Sequence, residues 1–129
     1  MLIVADSSIL LATVLDEPEK PRIIELTRGC TSYAPEILPY EIGNALSAML
    51  KRGRLTETEV TDAFEQYRRI PMHLVPINIR QALELTARFR IYAYDAYFLE
   101  CARALNFPLL TLDRGMKRIA LELGLVVLE

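Results

Sequence analysis

Four acidic residues stand where a carboxylate can do chemistry. Asp6 follows the apolar run Met1–Ala5 and Asp113 follows Leu109–Leu112, so each sits where a short buried strand should end. Open parallel sheets place ligand sites beyond the carboxyl ends of their strands. Carboxylates gathered at such an edge repel one another unless a cation or a proton lies between them. Oxygen-only donors of this kind suit Mg²⁺ or Mn²⁺ rather than zinc. Glu41 falls in the first turns of a helix, with Asn44 three residues on and so on the same face. Asp95 opens a further helix among Ala93, Tyr94, Ala96, Tyr97 and Phe98. The positive end of that helix favours an anion, so the Asp95 carboxylate is expected to stay ionised even when partly buried. Singly, each of these acids is equally well a helix cap or a first-turn dipole partner. Their recurrence at element ends is what points to a divalent metal.

Other chemistries lack their residues. His73 is the only histidine, and Cys30 and Cys101 form no Cys-x-x-Cys pair, which removes His-rich and thiolate zinc sites. The two thiols read as reduced core residues. Neither a Gly-x-Ser-x-Gly elbow nor a Gly-x-Gly-x-x-Gly loop is present. Pro76-Ile77-Asn78 stands where a phosphotransfer receiver needs its acceptor aspartate. Ser8 stands where a haloacid-dehalogenase-type phosphatase needs its second one. The 129 residues carry 15 basic and 17 acidic side chains, a net charge of −2 that by itself argues against phosphate binding. With four acids assigned to a metal site, the remainder is 15 − 13 = +2, and the objection falls.

These acids must be positioned by secondary structure. With 52% hydrophobic and 25% charged residues, the chain is expected to form a single domain over 1–129, with a core that needs no disulfide. No apolar run is long enough to span a membrane, and the N-terminus lacks a basic n-region, so a cytoplasmic protein is expected. Helices are predicted over Ser7–Leu15, capped by Ser7 or Ser8, and over Glu19–Arg28, stopping at Gly29. A third begins near Pro39 and buries Leu38, Ile42, Ala45, Leu46 and Met49, ending at Gly53. Thr56 and Glu59 have capping-box spacing at the head of the next. Asn78 caps a helix whose inner face reads Ile79, Ala82, Leu83 and Thr86; helices over Asp95–Leu105 and Lys117–Leu123 follow. Strands are predicted at Met1–Ala5, Cys30–Tyr33, His73–Pro76, Leu109–Leu112 and Leu125–Leu128. Short apolar strands alternating with amphipathic helices predict an α/β fold with a parallel sheet covered on both faces.

The ordered set Asp6-Ser7-Ser8, Glu41-x-x-Asn44, Tyr94-Asp95-Ala96 and Thr111-Leu112-Asp113-Arg114 resembles the PIN-domain ribonucleases. It is similar in particular to the toxins of VapBC-type toxin–antitoxin modules, over essentially the whole chain. The resemblance implies a PIN-like three-layer fold with strand order 3-2-1-4-5, and metal-dependent hydrolysis of RNA phosphodiesters. Carried over by position, Asp6, Glu41, Asp95 and Asp113 are the catalytic acids. Asp6, Asp95 and Asp113 hold Mg²⁺ or Mn²⁺, as one ion or two. Glu41 completes the shell or helps to deprotonate the attacking water. Ser8, Asn44 and Thr111 support these carboxylates from behind. Arg114, Lys117 and Arg118, close after the last acid, are expected to contact RNA phosphate, as is the basic turn Lys51-Arg52-Gly53-Arg54. Tyr92, Tyr94 and Tyr97 are expected to stack on bases or pack in the core, and His73 is expected to be structural. The family also implies a homodimer and an antitoxin that covers the acidic site with an arginine. The alternative is a catalytically silent PIN-like module that binds RNA or protein.

Overall fold

The apolar runs pair side by side in a computed structural model that describes residues 1–129. Strand β1 (Leu2–Ala5) lies between β2 (Thr31–Pro35) and β4 (Leu109–Leu110), and β3 (His73–Val75) flanks β2. The order is therefore β3-β2-β1-β4, with every pair parallel. The expected fifth strand shrinks to one parallel bridge, Leu109 to Val127, beyond β4. Its place is as expected but its length is not. β4 is only two residues long, so the C-terminal run finds a partner at Leu109 alone: the Leu109 N–H donates to the Val126 carbonyl, and the Leu128 N–H to the Leu109 carbonyl.

Seven helices flank the sheet: α1 (Ser7–Val14), α2 (Lys20–Thr27), α3 (Leu38–Lys51), α4 (Glu57–Arg68), α5 (Ile79–Phe89), α6 (Ala93–Leu105) and α7 (Arg114–Glu122). Right-handed crossovers put the helices of the β1-to-β3 half on one face. The chain then reverses direction to reach β4, so α5 and α6 cross on the other. Helix α6 packs on β1 and β2 and against α5, while α1 packs against α2, α3 and α4. Residues of both helical groups join one apolar cluster with the sheet, including Ile3, Leu10, Leu38, Leu46, Phe98 and Leu99. No helix is long and apolar enough to cross a membrane.

Several local expectations need correction. Asp6, not Ser7 or Ser8, is the N-cap of α1, because its carboxylate accepts the Ile9 N–H. The buried positions of α5 are Ala82 and Leu85, whereas Ile79 and Leu83 are 57% and 51% exposed. Both sets have helical spacing, and contact with α6 selects one of them. Helix α7 starts three residues early, at Arg114, because Asp113 caps it. The Thr56–Glu59 capping box is present in full, and Asn78 caps α5 by accepting the Gln81 N–H. Cys30 and Cys101 are free thiols; burial and the neighbouring Glu100 push Cys101 up to about 12. His73 stacks on Tyr33 with ring centres 4.9 Å apart, on the edge strand.

Within α6, Glu100 is almost wholly buried and accepts hydrogen bonds from Nε and Nη2 of Arg103, each at 2.7 Å. Losing one partner of such a pair strands a buried charge, whereas replacing both by apolar groups does not. In urea unfolding, Arg103→Ala is expected to cost about 2–4 kcal/mol, and the Glu100→Leu/Arg103→Leu pair to recover most of it.

Candidate active site

The parallel register sets Ala5 opposite Leu110, so the residues that follow these two strands emerge side by side where the strand order reverses. Asp6 is buried there, and both of its carboxylate oxygens accept hydrogen bonds. Oδ1 takes the Ser8 hydroxyl at 2.5 Å and the Ile9 N–H at 3.3 Å; Oδ2 takes the Thr111 hydroxyl. Each hydroxyl works in both directions. Ser8 Oγ accepts the Leu112 N–H at 3.1 Å, and Thr111 Oγ1 accepts the Asp113 N–H at 3.0 Å. The turn after β4 is thereby fastened to the turn after β1 through one carboxylate. The same bonds explain why β4 stops at Leu110: the next N–H groups go to side chains rather than to a neighbouring strand.

Asp113 stands exposed at the end of this turn, where its Oδ1 caps α7 by accepting the Met116 N–H at 3.0 Å. A Cβ on Gly115 would come within 3.2 Å of that oxygen, so glycine there leaves the carboxylate its room. Glu41, in the first turn of α3, is partly buried. Its carboxyl is pushed up to about 7, mainly by burial, then by the negative charges of Asp6 and Asp95, while the nearby Ser7 hydroxyl pulls the other way. Asp6 is also raised by burial, against the lowering effect of its hydrogen bonds. Asp95 lies in the first turn of α6, and burial and the charge of Asp113 raise it too. Burial and this like charge act against the helix N-terminus, which favours an anion at Asp95.

The four acids thus feel one another, but no three Asp, Glu, His or Cys side chains draw together closely enough to ligate one ion between them. Their donor chemistry, carboxylate oxygens alone, fits a hard divalent cation. None of the chain's ion pairs involves Asp6, Glu41, Asp95 or Asp113.

The remaining predicted residues divide by position. Asn44 joins Glu41, Ser7, Ile37, Tyr40 and Tyr94 around a cleft of about 300 Å³. Ser7 and Tyr40, which the sequence marks only as neighbours of Asp6 and Glu41, line the same cleft. Tyr92 is exposed, and Tyr97 is half-buried behind Tyr94 at a ring separation of 6.1 Å. Arg114 and Arg118 are exposed on α7, but Lys117 reaches the Glu129 carboxylate at 3.6 Å. Lys51 ends α3 ten residues after Glu41, about 15 Å along the helix. Arg54 lies in a separate cleft among Asp16, Glu17, Glu59 and Asp62, so that basic turn is not assembled with the acids.

Residues 3–122 match the PIN domain family over nearly the full length. The chain belongs to the PIN-domain family. It is 29% identical over 112 residues to the VapC ribonuclease Mb0985 of Mycobacterium bovis, covering 87% of this chain and 86% of that one. Its fold is similar to that of PAE2754 from Pyrobaculum aerophilum, with a TM-score of 0.70 at 17% identity over 96% of each chain. It is similar as well to VapBC2 from Rickettsia felis, solved bound to a DNA fragment from its promoter, with a TM-score of 0.69 at 16% identity over 100% of each chain. These PIN-domain relationships agree with the parallel sheet and flanking helices described above.

Raised carboxyls make the acidic site a pH-dependent liability. Glu41 carries no penalty below its unfolded value near 4.5 and the full penalty above about 7, so stability is lost as pH rises through that window. With partial solvent screening, the loss in EDTA between pH 5 and pH 8 is expected to be about 1–3 kcal/mol by urea unfolding. Glu41→Gln should flatten that slope; an equal slope in the variant rejects this assignment.

Proposed function

We propose that this protein is a divalent-metal-dependent endoribonuclease that hydrolyses RNA phosphodiester bonds, acting in the cytoplasm as the toxin of a toxin–antitoxin pair. The observation that carries this reading is a set of mutually repelling carboxylates beside the strand-order reversal, with no cation of the protein's own among them. Elsewhere the chain neutralises a buried acid internally, at Glu100 with Arg103. At Asp6, Glu41, Asp95 and Asp113 it does not, which leaves the compensating charge to come from outside. The PIN-domain match and the VapC ribonuclease relative support RNA as the substrate.

Asp6, Asp95 and Asp113 would hold Mg²⁺ or Mn²⁺. When bound, the cation supplies a Lewis acid for the scissile phosphate and makes the attacking water more acidic. Ser8 and Thr111 orient the Asp6 carboxylate, and Thr111 also fixes the backbone that carries Asp113. Glu41, with a carboxyl that titrates at about 7, is suited to accept the proton of the attacking water near neutral pH. Arg114 and Arg118 supply positive charge to RNA phosphates at the rim; Lys117, engaged with Glu129, contributes less than the sequence led one to expect. The VapBC complex among the structural neighbours supports an antitoxin as partner. An arginine from that partner would meet the same uncompensated acids.

A homodimer fits the outer face of α5. Ile79 and Leu83 stand one turn apart and exposed, beside an apolar cleft of about 320 Å³ that Ile79 lines with Pro35, Ile77, Tyr40 and Tyr97. Leu83→Glu is expected to convert a dimeric mass to a monomeric one in light scattering without loss of helical signal. A wild-type chain that is monomeric at high micromolar concentration refutes the dimer.

Purified protein is expected to cut RNA with Mg²⁺ or Mn²⁺ and to stop in EDTA. Asp6→Asn should lower cleavage by about a hundredfold or more, and Thr111→Val by about 10–100-fold through misplacement of Asp6. A folded wild-type chain that cuts no RNA under these conditions overturns the enzyme in favour of the silent binding module.

A further inference from the structure

The cleft beside Glu41 has a composition that selects its occupant. Its walls come from the start of α1 (Ser7), the first turns of α3 (Tyr40, Glu41, Asn44) and the first turn of α6 (Tyr94). They contain one carboxylate and no lysine or arginine, so the cleft repels a phosphate. What remains is aromatic ring, a carboxamide with both donor and acceptor groups, and a hydroxyl. These groups suit a neutral, planar group with hydrogen-bonding atoms along its edge. Tyr94 is 53% exposed, and its ring is buttressed by the half-buried Tyr97 in an edge-to-face contact at 75°. It is therefore a supported platform rather than a loose side chain. It lines the cleft together with Glu41, so a group stacked on it lies beside that acid. The neighbouring cleft that shares Ile37 and Tyr40 is mostly apolar and carries no carboxamide.

We propose that the cleft bounded by Tyr94, Asn44 and Ser7 is a nucleobase subsite. An unpaired base adjoining the scissile phosphate stacks on Tyr94, and Asn44 reads its edge. This inference rests on the ribonuclease reading above and adds to it a requirement for single-stranded RNA and a base preference at one position flanking the cut. Stacking supplies affinity that tolerates any base, and the carboxamide supplies the choice among bases.

The test compares wild type, Tyr94→Leu, Tyr94→Phe and Asn44→Ala on short single-stranded RNAs, with an abasic residue placed in turn on each side of the cut. Tyr94→Leu is expected to lose about tenfold or more in kcat/KM, mainly through KM, while Tyr94→Phe stays within about twofold. Asn44→Ala should relax the base preference at one flanking position. An abasic residue there should cost wild type as much as the leucine substitution does and cost the leucine variant nothing further, since the two changes remove one contact. Equal cleavage by Tyr94→Leu and wild type, or an undiminished abasic penalty in the variant, overturns the subsite. If wild type cuts no RNA, the parent reading fails, and fluorescence anisotropy of the same RNAs in EDTA decides the subsite separately. Affinity lost in Tyr94→Leu but kept in Tyr94→Phe supports it, and equal affinities reject it. Thermal melts show that each variant is folded. A leucine variant that keeps RNA affinity but loses a co-expressed partner protein would give the cleft to a peptide and overturn the proposal.

Discussion

The structure depends on burying one carboxylate at the end of β1. A carboxylate removed from water must have its lone pairs satisfied or give up its charge. Asp6 satisfies them with two hydroxyls and a backbone N–H, and each hydroxyl spends its own acceptor capacity on the turn after β4. The consequences spread outward. The β1–β4 register becomes coupled to side-chain bonding, and β4 is cut to two residues. The chain turns at Leu112, and Asp113 is delivered to the head of α7. One network therefore determines where two of the four acids stand.

Hydrogen bonds satisfy Asp6 without cancelling charge, and that distinction organises the electrostatics. The fold contains two ways of keeping an acid out of water. Glu100 has a guanidinium on the same helix, three residues on, and the pair is complete. Burial raises the carboxyls of Asp6, Glu41 and Asp95, like charges add to it at Glu41 and Asp95, and no cation of the chain opposes it. A site organised for stability alone would resemble the first. The second carries a penalty at neutral pH that any correctly placed positive charge relieves, and binding and folding are linked through that relief. Such locally unfavourable arrangements persist where the rest of the structure overrides them, as the single apolar cluster does here.

Legibility in the sequence followed the range of the interaction. The Thr56–Glu59 box and the Asn78 cap are local, made by side chains three residues from their backbone partners, and both were readable. The strand-end positions of Asp6 and Asp113 were readable because a short apolar run that stops at an acid has few alternatives in an α/β pattern. The inner face of α5 was not: Ile79 and Leu83 fit a helical stripe as well as Ala82 and Leu85 do, and the choice is made by α6, which lies beyond any local window. The early stop of β4 has a non-local cause, since it follows from bonds between positions more than a hundred residues apart. Ser7 and Tyr40 are not legible as site residues, because a serine after an aspartate and a tyrosine after a proline have ordinary structural roles. Only their meeting across three helices gives them another.

The charge distribution completes the account of how a chain of net charge −2 could meet a polyanion. Its acids are not spread evenly. One group surrounds the β1–β4 edge, and a second, Asp16, Glu17, Glu59 and Asp62, lines a separate cleft with Arg54. Lys117 is paired with Glu129 and Arg103 with Glu100, which reduces the positive charge they offer a ligand. The exposed Arg114 and Arg118, on the helix that Asp113 caps, are two cations against four carboxylates facing a phosphate at close range. Approach of RNA to this edge is therefore governed by whatever positive charge joins the acids. The proposed reaction and its proposed inhibition then draw on the same physical quantity. In that proposal a small dication would leave the edge open to a phosphate, whereas an arginine carried on a partner chain would neutralise the acids and fill the edge at once.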